Sequence, residues 1–104
     1  MNKHKKIIMP KGYILAAHRS PANPQKRSEY IDLAVPAIKS AGGKFIAQTT
    51  NVIAKENGRS ERTVLVEFKS LEKAIEAYNS PAYQRALHAL GDGADRDFRI
   101  FEGV

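Results

Sequence analysis

Between residues 63 and 68 every second position is apolar while the positions between them are mixed, and helical spacing of apolar residues follows immediately afterwards. The alternation is typical of a strand with one fully apolar face, formed by Val64, Val66 and Phe68. Ser70 can cap a following helix, and Ser80 with Pro81 can start a second one that ends at Gly91. The apolar stripes of these two helices are Leu71, Ala74, Ile75 and Tyr78, then Tyr83, Ala86, Leu87 and Leu90. This order predicts a sheet with helices on one side.

The rest of the chain supplies further strands and one longer helix. Residues 13–19 (YILAAHR) are predicted as the first strand, and a helix is predicted from Asn23-Pro24 to Ala41, with Pro36 inside it. Its buried side is expected to comprise Tyr30, Ala34, Ile38 and Ala41. Residues 44–48 and 52–56 are predicted as two halves of a strand with a bulge between them, which an Asn57-Gly58 hairpin turn would pair with residues 62–68. A last strand surrounds Phe98 and Ile100.

The order β-α-β-β-α-β predicts the ferredoxin-like α+β fold, a four-stranded antiparallel sheet with helices on one face. The other face of the sheet would then expose Ile14, Leu65 and Phe101 to water. Such an apolar surface favours burial against a partner. We therefore expect a homodimer in which two copies pack sheet to sheet.

Composition places the 104 residues in one domain, expected to span residues 12–104 after a flexible basic tail at residues 1–11. The apolar fraction of 42% and charged fraction of 27% are ordinary for a soluble globular protein. The absence of cysteine excludes disulfides and thiolate metal sites. No apolar run approaches the roughly 20 residues that cross a bilayer, and no secretory leader is recognised, so a cytoplasmic protein without a membrane segment is expected.

The net charge of +6 is concentrated at the start of the chain, where four lysines lie within the first eleven residues: Lys3, Lys5, Lys6 and Lys11. The other basic residues are spread among carboxylates. A nucleic-acid binder should show a basic stripe interleaved with aromatic residues on one face, and none is visible. Nucleic acid is therefore an unfavoured partner, with contact through the tail as the weakest alternative.

With this pattern established, residues 62–84 (RTVLVEFKSLEKAIEAYNSPAYQ) resemble the family named domain of unknown function 1330, small proteins of the dimeric α+β barrel superfamily. The resemblance runs from Lys11 almost to the end of the chain, through KGY at 11–13, GG and F at 42–45, YNSP-Y-Q at 78–84 and EG at 102–103. It implies the fold and dimerisation rather than an activity. The chain departs from the family pattern at Gln48 and Leu90, where Arg is usual, and at Arg27, where Tyr is usual. If the family has a basic anion site, this chain lacks part of it.

Candidate chemistry centres on His18. If Tyr13, Leu15 and Ala17 face the helices, His18 shares the uncovered face with Glu67 on an adjacent, parallel strand. Histidine beside a carboxylate can act as a general base whose tautomer the carboxylate fixes. The alternatives are a structural pair at a dimer interface, or no contact at all, and these are favoured over the catalytic pair. Tyr30, Tyr78 and Tyr83 are candidate ligand-binding residues at the rim of a cleft, or else core residues with satisfied hydroxyls.

Two functional hypotheses follow. In the first, a small dimer binds an apolar or aromatic metabolite, with a cofactor-free proton transfer or oxygenation at His18 and Glu67. In the second, the protein is a non-enzymatic binding or regulatory dimer module. No cofactor is expected in either. No metal is expected, because a helical histidine pair with a carboxylate and a thiolate set are both missing.

Overall fold

The computed structural model describes residues 9–104, so residues 1–8 of the predicted basic tail lie outside the described part. The elements are β1 (Gly12–His18), α1 (Pro24–Ser40), β2 (Lys44–Thr49), β3 (Thr63–Phe68), α2 (Leu71–Asn79), α3 (Pro81–Leu90) and β4 (Arg96–Glu102). The four strands form one antiparallel sheet in the order β2-β3-β1-β4. The predicted ferredoxin-like α+β fold is confirmed. None of the described helices is both long and apolar enough to cross a membrane.

The helices begin and end where local chemistry predicts. The side chains of Asn23, Ser70 and Ser80 each accept a hydrogen bond from a backbone N–H in the first turn of the following helix, at 3.0, 3.2 and 3.2 Å. Gly91 ends α3 with a positive φ of 52°, a conformation that glycine adopts without steric cost. The caps predicted from the sequence are therefore confirmed.

The core lies between the helices and one face of the sheet. Its buried residues come from every layer and include Ile14, Ala34, Ile38, Val66, Phe68, Ala74, Ala77, Tyr83 and Ala86. In α2 the buried positions are Ala74, which belongs to the predicted stripe, and Ala77, which does not, whereas Ile75 of that stripe is 41% exposed. The apolar face predicted for β3 does face the helices, since Val66 and Phe68 are each 1% exposed.

The predicted orientation of β1 is wrong. Gly12, Ile14, Ala16 and His18 are the buried residues of this strand, and Ile14 belongs to the core instead of the uncovered face. The physical reason is a close backbone approach, because a Cβ at residue 12 would lie 2.2 Å from the carbonyl oxygen of Ser70. Only glycine can sit there, and this fixes which residues of the alternating strand face the helices.

The uncovered face consequently carries the alternate residues of β1 and their neighbours. Leu15 lies opposite Leu65 in the register of β1 and β3. The ring of Tyr13 stacks on that of Phe101 at a centroid distance of 5.5 Å. The predicted positions of Leu65 and Phe101 on this face are thus confirmed.

The second half of the predicted β2 strand is not a strand. The pairing of β2 with β3 ends at Thr49 opposite Thr63, so residues beyond it have no neighbouring strand to bond. Residues 50–62 form a loop in which Ile53 is 82% exposed. The Asn57-Gly58 signal does mark a turn, in which the Gly58 N–H donates to the Lys55 carbonyl oxygen at 2.8 Å. The irregularity in β2 lies between Phe45 and Ala47, earlier than expected.

Candidate functional site

A small cavity of about 50 Å³ lies between α1 and the helix-facing side of the sheet. Most of its wall is apolar and comes from β1, α1 and β3, including Ile14, Ala16, Ala34, Ile38, Val64 and Val66. The polar residues of its lining are His18, Arg27, Tyr30, Gln48, Arg62, Tyr83 and Arg96. The volume exceeds the roughly 10–15 Å³ that one water molecule needs. The cavity therefore combines an apolar body with a set of polar and cationic side chains.

His18 is the last residue of β1 and faces the cavity because of the strand orientation set at Gly12. It is 8% exposed, and its backbone N–H donates to the carbonyl oxygen of Arg62 at 2.9 Å. Burial lowers the pKa of His18, and the positive charges of Arg96, Arg27 and Arg62 lower it further. The imidazole is therefore mostly neutral at pH 7, with one ring nitrogen able to accept a proton.

Three arginines from separate elements surround this histidine. Arg27 lies in the first turn of α1, Arg62 immediately precedes β3, and Arg96 begins β4 opposite His18. The ion pairs found among residues 9–104 are Lys26–Asp92, Lys73–Glu76 and Arg99–Asp97, none of which involves these arginines. Burial lowers the pKa of Arg62, and the neighbouring charge of Arg27 lowers it further. The polar end of the cavity is thus cationic.

Tyr30 and Tyr83 join this end of the cavity through their hydroxyls, which lie 2.6 Å apart. The Nη1 atom of Arg96 donates to the Tyr30 hydroxyl at 3.2 Å, and its guanidinium carbon lies 5.0 Å from the centres of both the Tyr30 and Phe98 rings. Burial raises the pKa of Tyr83, and the Tyr30 hydroxyl raises it further, so Tyr83 keeps its proton. One of the two hydroxyl protons occupies the shared bond, which leaves the other as a donor.

The structure separates the three predicted ligand-binding tyrosines. Tyr30 and Tyr83 line the cavity, whereas Tyr78 is not among its lining residues. The ring of Tyr78 packs behind the cavity, at centroid distances of 5.5 Å from Tyr83 and 5.3 Å from Phe98. Its place is that of a core residue supporting the site.

The predicted contact between His18 and Glu67 is wrong. Strands β1 and β3 are antiparallel, and Glu67 lies opposite Tyr13 near the other end of β1 from His18. The Glu67 carboxylate accepts a hydrogen bond from the Tyr13 hydroxyl at 3.2 Å, on the uncovered face of the sheet. Glu67 therefore cannot orient the imidazole, and the charged groups that act on His18 are all arginines.

The sequence interpretation also missed Arg27, Arg62 and Arg96, because they are far apart in the chain. One signal was available: Arg62 and Arg96 each stand at the start of a strand. In an antiparallel sheet, the starts of β3 and β4 lie beside the end of β1, where His18 stands. Within the described part of the chain, potential metal ligands do not gather into groups of three or more.

Comparison with solved structures supports the same fold. A protein of unknown function from Rhodopseudomonas palustris is 16% identical with a TM-score of 0.67, covering 98% of this chain and 88% of that one. SnoaB from Streptomyces nogalater, a cofactor-independent oxygenase, is 13% identical with a TM-score of 0.56, covering 89% and 91%. A conserved protein from Methanosarcina mazei Go1 is 16% identical with a TM-score of 0.57, covering 92% and 95%. At these identities the likeness concerns the fold alone.

Sequence comparison gives a more specific result. No match was found among curated proteins. The family model described as domain of unknown function (DUF1330) matches residues 11–104, which includes every strand and helix described above. The chain therefore belongs to the DUF1330 family, as the resemblance of residues 62–84 indicated.

Proposed function

We propose that this protein binds a small apolar or aromatic molecule in the cavity beside α1 and that His18 takes a proton from it without a cofactor. One observation carries the proposal: a buried histidine, kept mostly neutral by its surroundings, faces an apolar cavity and is flanked by cations. A neutral imidazole whose pKa lies below 6.5 can accept a proton at pH 7, and general bases of this type contribute roughly 10²–10⁴-fold to rates.

The proposed chemistry is the formation of an anion beside cationic side chains. An acidic C–H or O–H bond of the ligand breaks, its proton goes to the free ring nitrogen of His18, and the electron pair stays on the ligand as an enolate or phenolate. The nearby guanidinium groups and the free tyrosine proton stabilise this negative charge. Return of the proton to another atom would complete an isomerisation. Oxygenation would need dioxygen as a further reactant.

The fold shared with a cofactor-independent oxygenase supports chemistry that needs no bound cofactor, as an analogy only. Glu67 does not orient the imidazole of His18, because it lies near the other end of β1. Instead, the backbone hydrogen bond from His18 to Arg62 holds the end of β1, and burial together with the arginines lowers the pKa of His18. His18 is the proposed base, with Tyr30 and Tyr83 as ligand-binding residues.

We also propose that two copies associate through the uncovered face of the sheet. Leu15 and Leu65 lie there side by side, and Phe101 remains 39% exposed after stacking on Tyr13. Burial of such a face against a second copy removes apolar surface from water. In the second candidate function, a binding or regulatory dimer module, this face is the functional surface and the cavity binds its ligand without converting it.

The test measures by NMR how fast phenylacetone, a probe with acidic C–H bonds, exchanges its protons for deuterium in D₂O. Wild type should accelerate deuterium uptake, and His18→Gln should lower the enzymatic rate by about 10²-fold or more. His88→Gln is the matched control, because His88 is an exposed histidine on α3 and should behave as wild type. Equal rates for wild type and His18→Gln would reject the catalytic proposal. Ligand binding without exchange would favour the regulatory module.

A further inference from the structure

We infer that the ligand of this cavity carries a carboxylate, or an anion of equivalent shape, which Arg27 and Arg62 bind together. The inference rests on the proposed function insofar as both concern the same cavity. It goes further by naming the class of ligand, a small aromatic or branched-chain acid, and the residues that select it.

The first observation is that both arginines face the cavity and its outer rim without an acidic partner. Each lines the cavity and also the shallow depression outside it, where His18 is a lining residue as well. Among residues 9–104, the carboxylate oxygens within ion-pair distance of a basic nitrogen belong to Asp92, Glu76 and Asp97, which pair elsewhere. Glu61 lines the outer depression but makes none of these pairs. The two guanidinium groups thus have their donors available.

The second observation is that Arg27 and Arg62 line the same two hollows and that the charge of Arg27 disfavours the charged form of Arg62. Both are only partly exposed, and the charge of Arg27 acts on Arg62 in the same direction as burial does. Two like charges in a partly buried site are costly without a counterion, and an anion bound between them removes that cost. A planar guanidinium also presents paired donors that match the two oxygens of a carboxylate.

Arg96 has a different role. Its guanidinium donates to the Tyr30 hydroxyl and lies against the rings of Tyr30 and Phe98. These contacts orient the guanidinium toward the tyrosine pair, which makes Arg96 a positioning residue for Tyr30 and Tyr83. Anion binding therefore falls to Arg27 and Arg62.

The position of the arginines also gives the ligand a direction. They stand with His18 at the cationic end, while Ile14, Ala34 and Val66 form apolar wall inside the cavity. A ligand with its acid group at Arg27 and Arg62 would place its apolar body against that wall. His18, beside the arginines, would then meet an acidic bond close to the carboxylate.

The test uses two probes of nearly the same shape, benzoate and neutral benzamide, titrated into the full chain and followed by NMR or calorimetry. Wild type should bind benzoate about ten-fold or more tightly than benzamide, because charge-assisted hydrogen bonds are the stronger ones. Arg27→Gln and Arg62→Gln should each remove most of this preference. The matched control is Arg85→Gln, an exposed arginine on α3, which should keep it.

The midpoint temperature of thermal unfolding, measured without ligand, is a readout independent of affinity. Loss of either arginine relieves repulsion, so Arg62→Gln should be at least as stable as wild type while losing the benzoate preference. Should Arg62→Gln fail to fold, Arg27→Gln in the partly exposed first turn of α1 carries the same test. Equal binding of benzoate and benzamide by wild type, undetectable benzoate binding at millimolar concentration, or an unchanged preference in both variants would overturn the inference.

Failure of the inference and failure of the proposed function give different results. If benzoate and benzamide bind equally while phenylacetone exchange still requires His18, the proton transfer stands and the carboxylate assignment falls. If benzoate is preferred and no exchange occurs, the carboxylate assignment stands and the proton transfer falls. In the second case His18→Gln should retain the preference for benzoate, because the arginines supply it.

Discussion

Tyr30 and Tyr83 allow a sharp test of the cavity network, because the less buried tyrosine is predicted to matter more for stability. The Tyr83 side chain is 1% exposed, whereas Tyr30 is only partly buried. In Tyr83→Phe, the Tyr30 hydroxyl loses one partner but keeps the hydrogen bond from Arg96 and its access to water. The cost should therefore be that of one ordinary hydrogen bond, about 1 kcal/mol.

Tyr30→Phe removes the same bond but strands the other hydroxyl. The hydroxyl of Tyr83 then loses its 2.6 Å hydrogen bond to Tyr30, and a buried donor left unsatisfied costs about 1–3 kcal/mol. Adding Tyr83→Phe to Tyr30→Phe removes that stranded group. We therefore expect the double variant to be more stable than Tyr30→Phe alone.

The assay is urea unfolding monitored by circular dichroism. Wild type, the two single variants and the double variant are compared with one shared m-value. Tyr78→Phe is the control: the ring of Tyr78 packs on Tyr83, but no hydrogen bond of its hydroxyl is found among residues 9–104, so the change should be close to neutral. A double variant less stable than Tyr30→Phe would refute the network. So would a Tyr83→Phe variant that is the less stable of the two single variants.

The remaining predictions concern pH, the backbone and the uncovered face. Because the pKa of folded His18 is lowered, the unfolded chain binds more protons below about pH 6.5, and stability should fall as the pH drops from 6.5 towards the folded pKa. The loss should disappear in His18→Gln, measured by urea unfolding at several pH values; an identical pH dependence would contradict this. Gly12→Ala should lower stability by about 1–3 kcal/mol or prevent folding, since its Cβ would collide with the Ser70 carbonyl, and an unchanged melting temperature would exclude that contact. Phe101→Lys should dissociate the proposed dimer in sedimentation, and a wild type that sediments as a single chain at micromolar concentration would refute dimerisation.

The sequence was most informative where the signals were local. Asn23, Ser70 and Ser80 cap helices within three residues of themselves, so their roles depend on chemistry adjacent in the chain. The order of elements then restricted the topology to the ferredoxin-like arrangement. The family resemblance, carried by residues 62–84, agrees with that fold.

The orientation of β1 could not be deduced in the same way. Both faces of this strand are apolar, and Ala16 and Ala17 are equally suited to either one. What decides between them is the contact of Gly12 with Ser70, far away in the chain. A one-residue error in the orientation of a strand reverses every side chain on it, and this alone placed His18 on the wrong face.

The candidate site depends on a further level of long-range information. Arg27, Arg62 and Arg96 stand among acidic residues in the sequence, and there they resembled ordinary surface charges. Antiparallel pairing brings Arg62 and Arg96 to the end of β1, while α1 adds Arg27. A net charge computed from the sequence does not reveal such a local excess of cations.

The corrected orientation of β1 also shows how the proposed site in the cavity relates to the proposed dimer surface. His18 and Ile14 face the cavity, whereas Tyr13 and Leu15 face the surface proposed for dimerisation, so the same strand serves both from opposite sides. A second copy on the uncovered face would not cover the cavity, which lies beyond the sheet. It would instead restrict the motion of β1 and so hold His18 in place. Dimerisation would then support the site without contributing a side chain to it, and a monomeric variant should retain the selectivity of the cavity while binding its ligand more weakly.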